Sequence, residues 1–68
     1  MELSARNQIT ATVTSVKLGG VMAEIMVQIA GGQELVSVIT RGSAERLNLQ
    51  AGDQVTVIIK STEVMLGK

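Results

Sequence analysis

The chain has 68 residues, of which 46% are hydrophobic, and its six basic and six acidic side chains leave no net charge; it contains no His, no Cys and no aromatic residue. Zero net charge argues against general attraction to nucleic acid or to acidic membranes, and without Phe, Tyr or Trp there is no platform on which single-stranded bases could stack. A domain this small buries only about 60% of its unfolded surface alone, and with neither disulfides nor His/Cys metal sites at hand, the apolar excess points to burial between copies of the chain.

The pattern is β almost throughout. Ile9, Ala11 and Val13 alternate with Thr10, Thr12 and Thr14, which predicts a first strand reaching Lys17 or Leu18. Gly19-Gly20 follows as a hairpin signal, glycine being tolerant of the positive φ that tight turns use. In the second strand Val21, Ala23, Ile25, Val27 and Ile29 share one face, and Met22, Glu24, Met26 and Gln28 share the other. Met22 and Met26 read as packing residues at an interface. After the Gly31-Gly32 turn a third strand runs from Glu34 to Thr40, apolar on both faces and so suited to being covered on both sides.

Periodicity then breaks at Arg41–Leu47, which reads as a helix of one to two turns, with Ser43 as its N-cap and Asn48 ending it in the left-handed conformation. Leu47 and Leu49 are expected to plug the barrel end, and Gln50–Asp53 to form the next turn. A fourth strand, Gln54–Lys60, precedes a short fifth strand at about 63–66. Five strands with one short helix between the third and fourth is the element order of an OB-type barrel. The expectation is an all-β fold, residues 1–68 forming a single domain.

Catalysis finds little support. Nucleophilic mechanisms need a base beside the nucleophile, and with no His or Cys the candidates are Lys and six carboxylates placed singly along the chain. Both glycine doublets join predicted strands instead of opening a helix, unlike phosphate-binding loops. The chain reads as a non-enzyme. Its polar clusters, by contrast, are donor-rich. Ser4-Ala5-Arg6-Asn7-Gln8 precedes the first strand, Thr40 and Ser43 bracket the strand-to-helix junction, and Lys60-Ser61-Thr62 ends the fourth strand. A tetrahedral dianion presents only acceptors. Arg6 offers a planar fork, Lys60 a point charge, and the hydroxyls and first helical amides complete a donor set. From the residues alone, Arg6 and Lys60 can equally be solvated charges or partners of Glu2 and Glu63, Thr40 and Ser43 can simply end a strand and cap a helix, and Arg41 can face a pocket or solvent. Arg46 reads as a solvent-facing charge.

Those three polar segments, with Val38-Ile39-Thr40 before Ser43 and Lys60-Ser61-Thr62-Glu63-Val64-Met65 at the end, resemble the molbindin family of small molybdate-binding proteins. The resemblance covers essentially the whole chain. It implies an OB-type fold assembled as a homohexamer, a trimer of dimers, with oxyanions held between subunits. It implies cytoplasmic storage and homeostasis of molybdate, with tungstate as a close mimic and no organic cofactor. By motif, Ser4, Arg6, Thr40, Ser43, Lys60 and Ser61 would contact the anion, with no cation-binding metal site, no nucleic-acid partner and no membrane partner. The competing reading is an OB-type protein-interaction module regulated by an oxyanion; binding of a molybdenum-pterin is a further possibility that the residues leave open.

Overall fold

In the computed structural model, which describes residues 1–68, four antiparallel strands form one curled sheet. The strands are β1 (Asn7–Leu18), β2 (Met22–Ile29), β3 (Glu34–Thr40) and β4 (Gln54–Ile59), in the order β3-β2-β1-β4, and helix α1 (Arg41–Arg46) connects β3 to β4. This is the expected nearly all-β, OB-type architecture with one strand fewer than expected. The segment read as a fifth strand contains a 3₁₀ turn at Ser61–Glu63, and no regular structure follows it. The alternation of Val64 and Leu66 has the strand period, but a strand exists only against a partner edge. In the single chain none pairs with it, and Met65 and Leu66 are more than nine-tenths exposed.

β1 pairs with β4 over its first half and with β2 over its second, and its inward-facing residues change phase partway along. Its register with β2 shifts between Val13 and Ser15, a β-bulge at Thr14. Before the bulge Ala11 and Val13 point into the core; after it Val16 packs inward while Ser15 and Lys17 pair with Met26 and Glu24 on the outer face. Without the extra residue, Lys17 would share the face of Val13. The Thr14 hydroxyl donates to the Met26 carbonyl across the bulge at 3.2 Å. On the other side, Val13 N–H donates to Asp53 O and Gly52 N–H donates to Val13 O, both at 2.8 Å, so the turn before β4 is pinned at the same place.

The β1–β2 hairpin forms, for a different reason than its glycines suggest. Neither Gly19 nor Gly20 has positive φ; the positive-φ glycines are Gly31, Gly32 and Gly52. A Cβ on Gly19 would instead lie 2.9 Å from the Met22 carbonyl oxygen, the atom that accepts the Gly19 N–H at 2.7 Å. Close approach is what this position requires. Val21, expected on the inner face, is in the turn and exposed.

The core is small. Ala11, Val13, Ala23, Ile25, Val27 and Ala44 are its six buried residues, and half of them are alanine. Val16, Ile29, Leu35, Ile39, Leu49, Val55 and Val57 pack against it half-covered. Leu49 thus takes the plugging role, whereas Leu47, the helix C-cap, is 63% exposed. β3 and β4 do not pair, leaving a largely apolar cleft of about 210 Å³ where the sheet curls without closing. The outer face also carries apolar surface: Val36 is 59% and Val38 60% exposed, and on the neighbouring strand their register partners are Met26 and Glu24.

Candidate oxyanion site

The expected donors fall into two clusters. The first lies where β1 begins and β4 ends. Asn7 opposes Ile59 and Gln8 opposes Ile58; continued one pair outward, this register sets Arg6 opposite Lys60. The ladder stops there because Lys60 leads into the 3₁₀ turn, with Glu63 N–H donating to Lys60 O at 2.8 Å. Arg6, Asn7, Gln8, Ile59, Ser61 and Val64 border an open cleft of about 510 Å³. Two cations therefore flank the same end of one strand pair; Arg6 shares the cleft with Ser61, whereas Lys60 does not border it. Neither is neutralised: Glu2 and Glu63 make no salt bridge to them, and the single ion pair of the chain is Arg41–Glu45. Ser4, exposed and in a bend two residues before Arg6, does not border the cleft.

The second cluster surrounds the start of α1. Thr40, not Ser43, is the N-cap: its extended backbone (φ −67°, ψ 147°) turns the chain, and its Oγ1 accepts the Ser43 N–H at 3.1 Å. Ser43 Oγ lies 2.8 Å from Thr40 Oγ1, accepting that hydroxyl's proton. Arg46, one turn on and exposed, donates from a terminal guanidinium nitrogen to Ser43 Oγ at 3.4 Å. Arg41 is tied elsewhere, donating to Glu45 Oε1 at 3.3 Å and to the Gly19 carbonyl at 3.1 Å. Its charge joins the helix to the β1–β2 turn. Asn48 closes the helix at φ 50°, as its position suggested.

Within one chain the clusters do not meet. Thr40 pairs with Met22 next to the Leu18 end of β1, whereas Arg6 precedes the opposite end of that strand. Twelve residues of β1 lie between, on the order of 35 Å of strand contour against a longest molecular dimension of 34 Å. The fold thus brings Arg6 together with Ser61, and Thr40 with Ser43, on separate poles. Sequence reasoning leaves Asn7 and Gln8 out of the contact set and reads Arg46 as a solvent-facing charge; Arg46 is exposed, and it also donates to Ser43 Oγ. Asn7, half-buried on the inner face, and Gln8 stand in the first motif, and their alternation into β1 was the available signal. Arg46 lies three residues after Ser43, the spacing of neighbours on a helix. No group of three or more carboxylates converges as a cation site would need.

A curled antiparallel sheet with one short helix, bearing cation-and-hydroxyl clusters at its two ends, defines a small OB-type domain. The sequence matches the TOBE domain over residues 3–66, and the chain belongs to that family. It is 46% identical over 66 residues to molybdenum-pterin-binding protein 3 of Clostridium pasteurianum, with 97% of each chain covered. Its fold superposes on a molybdate-binding protein from Sporomusa ovata with a TM-score of 0.94 at 43% identity, covering 100% of both chains. It also matches the cytoplasmic molybdate-binding protein ModG with a TM-score of 0.85 at 36% identity, over 90% of this chain and 43% of that one. The molbindin resemblance is thereby borne out.

Proposed function

We propose that this chain, as one oxyanion-binding domain over residues 1–68, binds molybdate, with tungstate as a close mimic, in a homo-oligomer whose anion sites are completed between subunits. The observation that carries the reading is that Arg6 shares a cleft with Ser61 and that neither Arg6 nor Lys60, each one residue beyond the last paired residues Asn7 and Ile59, has a carboxylate partner. Like charges facing each other across strands destabilise a sheet. Such an arrangement is accounted for when a dianion bridges it, because each cation then gains a charge-assisted bond. Thr40 and Ser43, with Arg46 beside them, supply a second donor set at the other pole, and contact between subunits is what would join the two. Ser4, Arg6, Thr40, Ser43, Lys60 and Ser61 are the proposed contacts.

The assembly is supported by the six-residue core and by twelve large hydrophobic side chains left exposed; a hexamer built as a trimer of dimers is the proposed form. The role is storage and homeostasis of the anion, without catalysis and without an organic cofactor. A cytoplasmic setting is supported by the description of ModG as cytoplasmic, and no helix is long and apolar enough to cross a membrane. One observation favours a second reading, a protein-interaction module regulated by the anion: the exposed Met22, Val36 and Val38 on the outer face of β2 and β3. The name of the Clostridium relative makes a molybdenum-pterin the other ligand to compare.

Calorimetric titration of the purified, anion-free protein tests the reading. Molybdate and tungstate should release heat, sulfate less, and native mass spectrometry should show a hexamer without another protein. No heat with molybdate from a correctly assembled oligomer overturns the proposal. Co-purification of a partner protein, together with loss of that partner on adding molybdate, would establish the second reading in its place.

A further inference from the structure

Residues 1–6 lie outside every helix and strand, and none of the backbone hydrogen bonds in turns and loops reaches them. One side-chain bond fastens this segment: Gln8 Nε2 donates to the Ala5 carbonyl at 2.6 Å. It spans three residues and ties the irregular segment before β1 to the second residue of that strand. Gln8 is itself fixed, since its backbone is paired with Ile58 of β4, two residues before Lys60. The bond therefore couples the course of the Ser4–Arg6 segment to the strand that ends in Lys60 and Ser61.

We propose that Gln8 is the positioning residue of the Ser4–Arg6 half of the oxyanion site, acting through the Ala5 backbone and not by touching the anion; this rests on the molybdate reading above. A terminal segment held at no point would have to be ordered at the moment the anion binds, and that entropy would be subtracted from affinity. With Ala5 O fastened, the Arg6 Cα and the direction of its side chain are set before the anion arrives. An exposed glutamine whose amide serves only solvent would do none of this.

The test is Gln8→Met, which keeps the length of the side chain and removes the donor. Molybdate affinity should fall roughly five- to twentyfold, the order of the entropy cost of fixing one residue's backbone, while the oligomer stays intact and, because residues 1–6 fray locally, the melting temperature changes by no more than about 2 °C. In an Arg6→Gln background the same change should cost nothing further, because the residue it positions is gone. Wild-type affinity in Gln8→Met overturns the proposal, and so does an equal loss in both backgrounds, which would put Gln8 in contact with the anion. An arm without ligand separates this from the underlying reading. Backbone ¹⁵N relaxation of the anion-free protein should show Ala5 and Arg6 more mobile in Gln8→Met than in wild type. Unchanged mobility refutes the positioning role even if molybdate binds. Wild-type protein that ignores molybdate while Gln8→Met loosens the segment refutes the molybdate reading and leaves the positioning of Arg6 standing.

Discussion

Arg6→Gln should move anion affinity and apoprotein stability in opposite directions. The register that sets Arg6 opposite Lys60 offers no carboxylate to either residue. Two unit charges at about 6 Å in water repel by roughly 0.7 kcal/mol, and physiological salt reduces this further. Removing Arg6 should therefore leave the anion-free protein as stable as before, or more stable by about 0.5 kcal/mol at low salt. Binding should change far more. A hydrogen bond to a charged group is worth about 1.5–3 kcal/mol, so losing the guanidinium should weaken molybdate binding by roughly 10- to 150-fold. The control is Arg41→Gln, at a cation already tied to Glu45 and to the Gly19 carbonyl. Its exposed i,i+4 pair contributes about 0.3–0.5 kcal/mol to stability, and molybdate affinity should stay within about twofold of wild type, allowing for salt screening. Calorimetry at two salt concentrations reads the binding, and urea titration of the anion-free protein reads the stability. Equal affinities for the Arg6 and Arg41 variants, or a large stability loss in Arg6→Gln, would show that Arg6 is a structural residue.

Thr40→Val removes the oxygen that accepts the Ser43 N–H and should cost about 1 kcal/mol, a fall in melting temperature of roughly 4–8 °C for a domain of this size; an unchanged melting curve would mean the cap is idle. Gly19→Ala drives a Cβ to 2.9 Å from the Met22 carbonyl oxygen, whereas a Cβ on Gly20 meets nothing within 4 Å. The first change should therefore destabilise by about 1–3 kcal/mol and Gly20→Ala hardly at all, as thermal unfolding will show. Val38→Asp puts a charge on an exposed apolar face without touching the core, so the chain should still fold but its native mass should drop to smaller assemblies. An unchanged native mass would leave that face outside the subunit contacts.

Much of the fold was legible because alternation carries it. The bounds of β3 coincide with the expected Glu34–Thr40, and Ile25 and Val27 lie on the core face assigned to them. What escaped was whatever interrupts the period. The spacing from Val13 to Val16 is three residues where a regular strand needs two, and that single irregularity marks the bulge at Thr14. The fifth strand failed for the opposite reason: its alternation is intact, but pairing is a property of a neighbour and not of the segment. A serine's capping hydroxyl points to Ser43, but the helix begins at Arg41, directly after β3, which makes Thr40 the residue that precedes its first turn. The candidate site was legible as residue types in three segments. Their division between two poles required the topology, since nothing local to Arg6 or Thr40 records the strand length between them.

The separation of those poles has a consequence for how such a protein would behave in solution. On the proposed reading, each copy carries two unlike half-sites facing away from each other, so occupancy becomes a mass-action property of the population and not of the molecule. Dilution would then do the work of a competing ligand: as protomers part, each half-site is left with too few donors, and bound anion is released. Retention would rise more steeply than linearly with protein abundance. On that reading, the amount of anion held would follow the level of synthesis.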